Sequence, residues 1–218
     1  PMKHLYLNRV FLLLSLFLLS FFTVKAQHDL FHQEYDKTAQ FNLAEDEIKE
    51  YREEGKLIIF NEEKHRTGLA VSLLEKKVGK DITQESATRL RTYEVISSSK
   101  IKHHRLRYIF IDGNKLSKKK LRKRIDYIKR LLDDKASFES VAHQYSMDRN
   151  SRRGGDSGWF KKAETHPVFY DAIANDNRYA NEVFEVSIPE NNWYYLVKKT
   201  FSPKPIREIL VLKRVETR

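Results

Sequence analysis

Three of the seven glycines in this 218-residue chain fall within five positions, in the run Arg153-Gly154-Gly155-Asp156-Ser157-Gly158-Trp159-Phe160. The segments on either side limit what such a bend can join. Upstream, Leu106-Arg107-Tyr108-Ile109-Phe110-Ile111 is rich in β-branched and aromatic residues and is stopped by Asp112-Gly113, which predicts a strand. Ser117 is a candidate cap for a helix in which Leu121, Ile125, Ile128 and Leu132 form one apolar face. Ser137 starts another helix, with Phe138, Val141, Ala142 and Tyr145 on one side. Downstream, a short helix from Val168 to Ala174 precedes two strands, Val183 to Ile188 and Trp193 to Lys199. The order β-α-α-(glycine bend)-α-β-β predicts an α+β fold with a small antiparallel sheet flanked by helices.

Residues 1–26 read as an address and not as part of the fold. Lys3 and Arg9 precede an apolar run from Val10 to Phe22, and Val24-Lys25-Ala26 supplies a cleavage site before Gln27, the pattern of a secretory signal peptide. A transmembrane anchor is the competing reading, but the run falls short of the ~20 residues needed to span a bilayer. The expected location is therefore the periplasm. The chain has no cysteine, which excludes a disulfide framework, a thiol nucleophile and a Cys-based zinc site. A net charge of +11 would suggest nucleic acid in a cytosolic protein. In an exported chain it points instead to anionic lipid or acidic clients, and no nucleic-acid partner is expected. A charged fraction of 33% and a mean hydropathy of -0.63 exclude a polytopic membrane protein.

Residues 27–100 are expected to form a mainly helical accessory region. Glu34 to Glu54 is strongly charged, with Ala44, Ile48 and Tyr51 on one helical stripe and Gly55 as a C-cap. Leu57-Ile58-Ile59-Phe60 is a short strand candidate, Leu69 to Val78 a second helix ended by Gly79, and Ser97-Ser98-Ser99-Lys100 a linker. Residues 203–218 form a C-terminal extension, in which Pro203-Lys204-Pro205 breaks the preceding strand. The apolar segment Ile206 to Leu212 then either packs on the accessory region or docks a partner.

Ser137 to Asp148 (SFESVAHQYSMD), the bend Gly154-Gly155-Asp156-x-Gly158-Trp159-Phe160 and Pro167-Val168-Phe169 together resemble the parvulin-type peptidyl-prolyl cis-trans isomerases. The likeness covers about half of the mature chain, and the parvulin-like domain is taken as residues 101–202. The resemblance implies a rotamase site with two facing histidines, a Cys or Asp beside them, and a Leu/Met/Phe cup for the proline ring. Asp148 falls on the Cys/Asp position, Phe169 on the phenylalanine, and Tyr108 on the first histidine. The second histidine falls on Tyr195 or, in another frame, Tyr194; the cup's leucine falls on Ser157 and its methionine near Thr165. Trp159 and His166 complete the candidate client-binding set, although Trp159, like Phe160 and Trp193, fits a core position better than a binding platform, and His166 a polar surface better than a client contact.

Rotation about an X–Pro amide crosses ~18–20 kcal/mol, so the site needs an apolar cup and a polar group that holds the turning carbonyl. With both histidines replaced and two cup residues smaller and more polar, weak or absent isomerase activity is expected, with the domain kept for binding extended chains. The resemblance implies an exported chaperone acting on unfolded or extended clients, including chains bound for the outer membrane. The alternative is a non-catalytic adaptor in an envelope secretion or assembly complex. No cofactor and no metal are expected; His28 and His32, spaced as a metal pair, lack a third ligand nearby. The run Lys118 to Arg124 is read first as the solvated side of a helix, and second as a peripheral contact with an anionic membrane. Asp156 is expected to fix the bend through backbone amides, and His103-His104 to be exposed beside the linker.

Overall fold

Antiparallel pairing between strands far apart in sequence organises the molecule. The computed structural model describes residues 37–175 and 179–218; the expected signal peptide and the pair His28 and His32 lie outside these. Seven strands run β1 (Lys56–Asn61), β2 (Asp81–Glu85), β3 (Arg89–His103), β4 (Arg107–Asp112), β5 (Val183–Ile188), β6 (Trp193–Lys198) and β7 (Lys204–Thr217). The helices are α1 (Glu45–Glu54), α2 (Gly68–Leu74), α3 (Lys118–Asp133), α4 (Phe138–Tyr145) and α5 (Pro167–Ile173). One sheet has the order β1-β7-β3-β2, the other β4-β6-β5.

The smaller sheet is the one expected around the glycine bend. Phe110 pairs with Tyr195 and Tyr108 with Val197, and Val186 pairs with Tyr195 from the other side. Its two faces bury different clusters. Ile109, Ile111 and Leu196 pack against Leu121, Ile125 and Ile128 of α3 and Phe138, Val141 and Ala142 of α4. Tyr108, Phe110 and Tyr195 pack on the opposite face with Phe169 and Ile173 of α5. Ser117 and Ser137 cap α3 and α4 through their side-chain oxygens, as their positions predict.

The larger sheet corrects the expectation of a mainly helical accessory region. Residues 37–103 hold two short helices and three strands, and the C-terminal extension supplies one of the two inner strands, β7. Within the Glu34 to Glu54 stretch, Asn42 adopts a positive φ of 52° after a single 3₁₀ turn, so α1 begins only at Glu45. Ser97 to Lys100 is not a linker. It lies inside β3, paired residue by residue with Leu210, Ile209, Glu208 and Arg207. Small hydroxyl side chains adopt strand geometry there because β7 supplies the backbone partners and the apolar side chains. β3 therefore crosses the boundary expected at residues 100/101, and the segment between β3 and β7 is an insertion into a long β-hairpin. Its ends also carry a buried ionic cluster, so His103 and His104 are buried and not exposed.

Candidate functional site

The glycine bend exists because its backbone must approach β4 closely. Gly154, Gly155 and Gly158 all have positive φ, at 59°, 79° and 67°. A Cβ on Gly155 would stand 2.6 Å from the Tyr108 carbonyl oxygen. The Tyr108 N–H donates to the Gly155 carbonyl (2.9 Å), Ser157 N–H to the Leu106 carbonyl (3.0 Å), and His104 and Phe160 exchange backbone bonds at 2.8 and 2.9 Å. The bend thus lies beside β4 as an irregular fourth strand. Asp156 holds it as expected: its carboxylate accepts from Gly158 N–H (2.9 Å) and from both arms of Arg105 (3.0 and 2.5 Å). Burial pushes the Asp156 carboxyl up, but the guanidinium and the amide outweigh it and hold it below the usual range.

Four of the eight sequence-predicted residues meet behind the bend. The Tyr108 hydroxyl donates to the Asp148 carboxyl (2.8 Å), whose other oxygen accepts from Ser146 Oγ (2.8 Å). The Tyr108 ring lies edge-on to Tyr195 (5.7 Å between centroids) and to Phe169 (6.2 Å), and Phe169 to Tyr195 (5.1 Å). Of the two frames for the second histidine, Tyr195 is the one that shares a sheet face with Tyr108; Tyr194 packs with the α3 and α4 side. Tyr108, Tyr195 and Phe169 are 1%, 2% and 0% exposed, so the rings fill the space they surround.

The other four are not among the ring contacts of this nucleus. Ser157 Oγ accepts from the Leu106 N–H (3.1 Å) and donates to the Gly158 carbonyl (2.8 Å), which makes it part of the bend. Thr165 is buried, and its hydroxyl has no partner among the described residues. His166 precedes α5 and faces Glu190 at 3.4 Å. Trp159 packs on Phe201, with the Lys204 ammonium 4.6 Å from its ring centre.

Sequence reasoning missed the cluster where the insertion leaves the hairpin. Glu208 of β7 accepts from Lys161 Nζ (2.6 Å), Gln40 Nε2 (2.7 Å) and Asn61 Nδ2 (2.7 Å), with His103 Nε2 at 3.2 Å. Burial raises the Glu208 carboxyl, but His103, Lys161 and Asn61 together bring it down to about 2. Lys161, His103 and Glu208 lie far apart in sequence, and no local spacing links them.

Residues 90–200, just over half of the chain, match the family model described as the PPIC-type PPIASE domain. Two proteins named chaperone SurA are similar over shorter stretches. That of Methylobacillus flagellatus is 38% identical over 66 residues, 30% of this chain and 14% of the relative. That of Burkholderia pseudomallei is 32% identical over 90 residues, 40% of this chain and 20% of the relative. The chain therefore matches a fifth or less of the length of these curated relatives. Among solved structures, PrsA from Bacillus subtilis aligns with a TM-score of 0.38 and 25% identity over 46% of this chain and 35% of that one. A PpiC-type isomerase domain aligns with a TM-score of 0.37 and 21% identity over 46% of this chain and 94% of that one.

Proposed function

The chain belongs to the PPIC-type PPIase family, the parvulins, and on that premise we propose that it is an exported chaperone whose parvulin-like part holds extended clients and isomerises proline weakly. In this reading residues 1–26 direct export to the periplasm, residues 101–202 are the parvulin-like unit, and the clients are unfolded chains, including those bound for the outer membrane. Two relatives being named chaperones supports the client class.

One observation carries the weak activity. The rings of Tyr108, Tyr195 and Phe169 are packed on one another almost without exposure, and the Tyr108 hydroxyl is engaged by Asp148. A rotamase must bind the twisted amide more tightly than the planar one, about 1.36 kcal/mol for each tenfold. The leucine and methionine of the family's cup, each worth ~1.5–3 kcal/mol when buried, are here Ser157 and Thr165. Asp148, Tyr108 and Tyr195 would form the residual catalytic set, with Phe169, Ser157, Thr165, Trp159 and His166 on the client side.

The test is proline-limited refolding of a denatured substrate, run beside suppression of aggregation of an unfolded protein. Acceleration should fall at least about a hundredfold below that of a parvulin with both histidines, the loss that two missing cup side chains predict, while aggregation is still suppressed. Acceleration equal to that parvulin's would overturn the weak-activity reading.

A second reading, a non-catalytic adaptor at the envelope, is favoured by the basic run on α3. Lys118, Lys119, Lys120, Arg122 and Lys123 are exposed and have no acidic partner among the described residues. Cations in the first turns of a helix oppose its dipole, so this face suits an anionic membrane or an acidic assembly. Co-sedimentation with anionic vesicles, lost on reversing three of these charges, would support it.

A further inference from the structure

The larger sheet has two edges, and they differ. β2 at one edge reads Asp-Ile-Thr-Gln-Glu, with four of its five residues exposed, the charged and polar dress that keeps an edge from pairing. β1 at the other edge carries Leu57, Ile58, Ile59 and Phe60 in succession, all half-buried, with Lys56 at its start as the strand's one charged residue.

Register tells which backbone groups of β1 are open. The N–H of Glu62 donates to the Arg207 carbonyl on β7, while that of Asn61 turns away and donates to His65 Nδ1. Alternation along an antiparallel strand then points Phe60, Ile58 and Lys56 at β7, and Leu57 and Ile59 outward. Each outward residue presents both an N–H and a carbonyl. His65 closes the ladder at Asn61, which leaves the stretch of edge at Leu57 and Ile59 without a strand partner among the described residues.

This stretch opens onto a groove of about 1160 Å³ that follows β1 from Gly55 to Asn61. The volume lies just above the ~300–1,000 Å³ common for small-molecule sites, and the floor is apolar, from Leu57, Ile58, Ile59 and Leu210. The lining includes Lys37, Arg52, Lys56, Lys64 and Lys161 against two acids. Both acids are engaged, Glu164 by Lys64 and Glu208 by Lys161. Lys37 and Lys56 have no acidic partner among the described residues, so the groove keeps a positive excess.

We propose that this groove takes an extended segment of a client polypeptide, with alternating apolar and acidic side chains, as an added strand on the edge of β1. Main-chain bonds to Leu57 and Ile59 would supply affinity for any extended chain, and the apolar floor and basic rim would select the side chains. A second copy of this chain fits poorly, because its β1 edge carries the same basic rim and pairing the two would set like charges against each other. The inference rests on the client-holding reading above and gives it a site whose lining shares no residue with the aromatic nucleus behind the glycine bend.

The experiment uses the exported chain and fluorescein-labelled decapeptides of alternating valine and glutamate, or valine and lysine, read by anisotropy. The glutamate peptide should bind saturably at one per chain, at least tenfold tighter than the lysine peptide. Bound peptide should slow hydrogen exchange at the Leu57 and Ile59 amides. Ile59→Pro removes an outward N–H at an edge position where proline is tolerated, and should weaken binding at least tenfold while the Phe60 amide stays protected. Lys56→Glu should invert the preference between the peptides, a result that loss of folding cannot produce.

Unchanged affinity in Ile59→Pro would overturn the site. So would Leu57 and Ile59 amides already protected in the free monomer, which would assign the edge to the chain's own N-terminal segment. A dimer dissociated by Ile59→Pro would assign it to a second copy. If Ile59→Pro still suppresses client aggregation fully, the groove falls and the chaperone reading stands. If the wild type binds neither peptide nor unfolded protein, the chaperone reading itself falls.

Discussion

Ser157 and Thr165, proposed for the positions of a cup's leucine and methionine, have surroundings that give substitutions at the two opposite consequences. Ser157 Oγ is the acceptor for the Leu106 N–H. Ser157→Ala leaves that amide without a protein partner and should cost about 1–2 kcal/mol in urea unfolding. The Thr165 hydroxyl is buried without a partner among the described residues. Thr165→Val keeps the shape, removes the orphan, and should be neutral or stabilising by up to about 2 kcal/mol. Destabilisation by Thr165→Val would mean that the hydroxyl has a partner in solution. Residue types at the nucleus were legible from sequence because the motif around Asp148 and the bend is dense in specific residues. What they touch was less so. Tyr194 and Tyr195 are adjacent and chemically alike, and only the pairing of Phe110 with Tyr195 decides which one faces Tyr108.

At the scale of elements, the bend and the helices around it could be read because each has a local cause: a capping serine, an apolar face, a glycine. Gly155 is the sharpest case. Gly155→Ala must hold an alanine at φ 79° with its Cβ 2.6 Å from the Tyr108 carbonyl oxygen. The unfavourable φ alone costs ~1–3 kcal/mol, and the collision moves β4 or the bend, so a loss above about 2 kcal/mol is expected. Gly68→Ala, at the start of α2 with no atom within 4 Å of its Cβ, should instead gain about 0.4–1 kcal/mol. Thermal melts of the two variants compare them directly. β3 resisted reading for the converse reason. Val95 pairs with Val211, but the next pair is Ser97 with Leu210, so Ile96 is the extra residue of a bulge. A bulge shifts the alternation of faces by one, and buried Tyr93 and Val95 are followed at once by buried Ile96. Neither a helical nor a strand period survives that shift, and the three serines beyond it look like a linker until β7 is known to lie alongside.

For the whole molecule, β7 and the cluster on Glu208 join what the sequence separates. β7 is bonded to both β1 and β3, and Ile206, Ile209, Leu210, Val211 and Leu212 are fully buried. A chain ending at residue 202 should lose the larger sheet altogether: proteolysis should digest residues 37–103 and spare the insertion. The pH dependence of stability tests the second join. The folded Glu208 carboxyl titrates at about 2, against an ordinary value of 4.5. A depressed carboxyl contributes stability that is full above its unfolded value and is lost as pH falls toward its folded one. That contribution, roughly 3 kcal/mol at neutral pH from 1.36 kcal/mol per unit, should drain away between about pH 4.5 and pH 2. Asp156 and Glu63, also held low by Arg105 and Lys204 respectively, add to the same acid slope, so the wild type alone cannot isolate Glu208. Glu208→Gln can. It leaves the Lys161 ammonium buried without its counter-charge and should cost about 3–5 kcal/mol at pH 7. As pH falls the wild type loses its carboxylate too, and the gap between the two proteins in urea unfolding should close. A gap of constant size from pH 6 to pH 2 would mean that the anion of Glu208 does not hold the insertion to the sheet, and that packing around β7 does so without it.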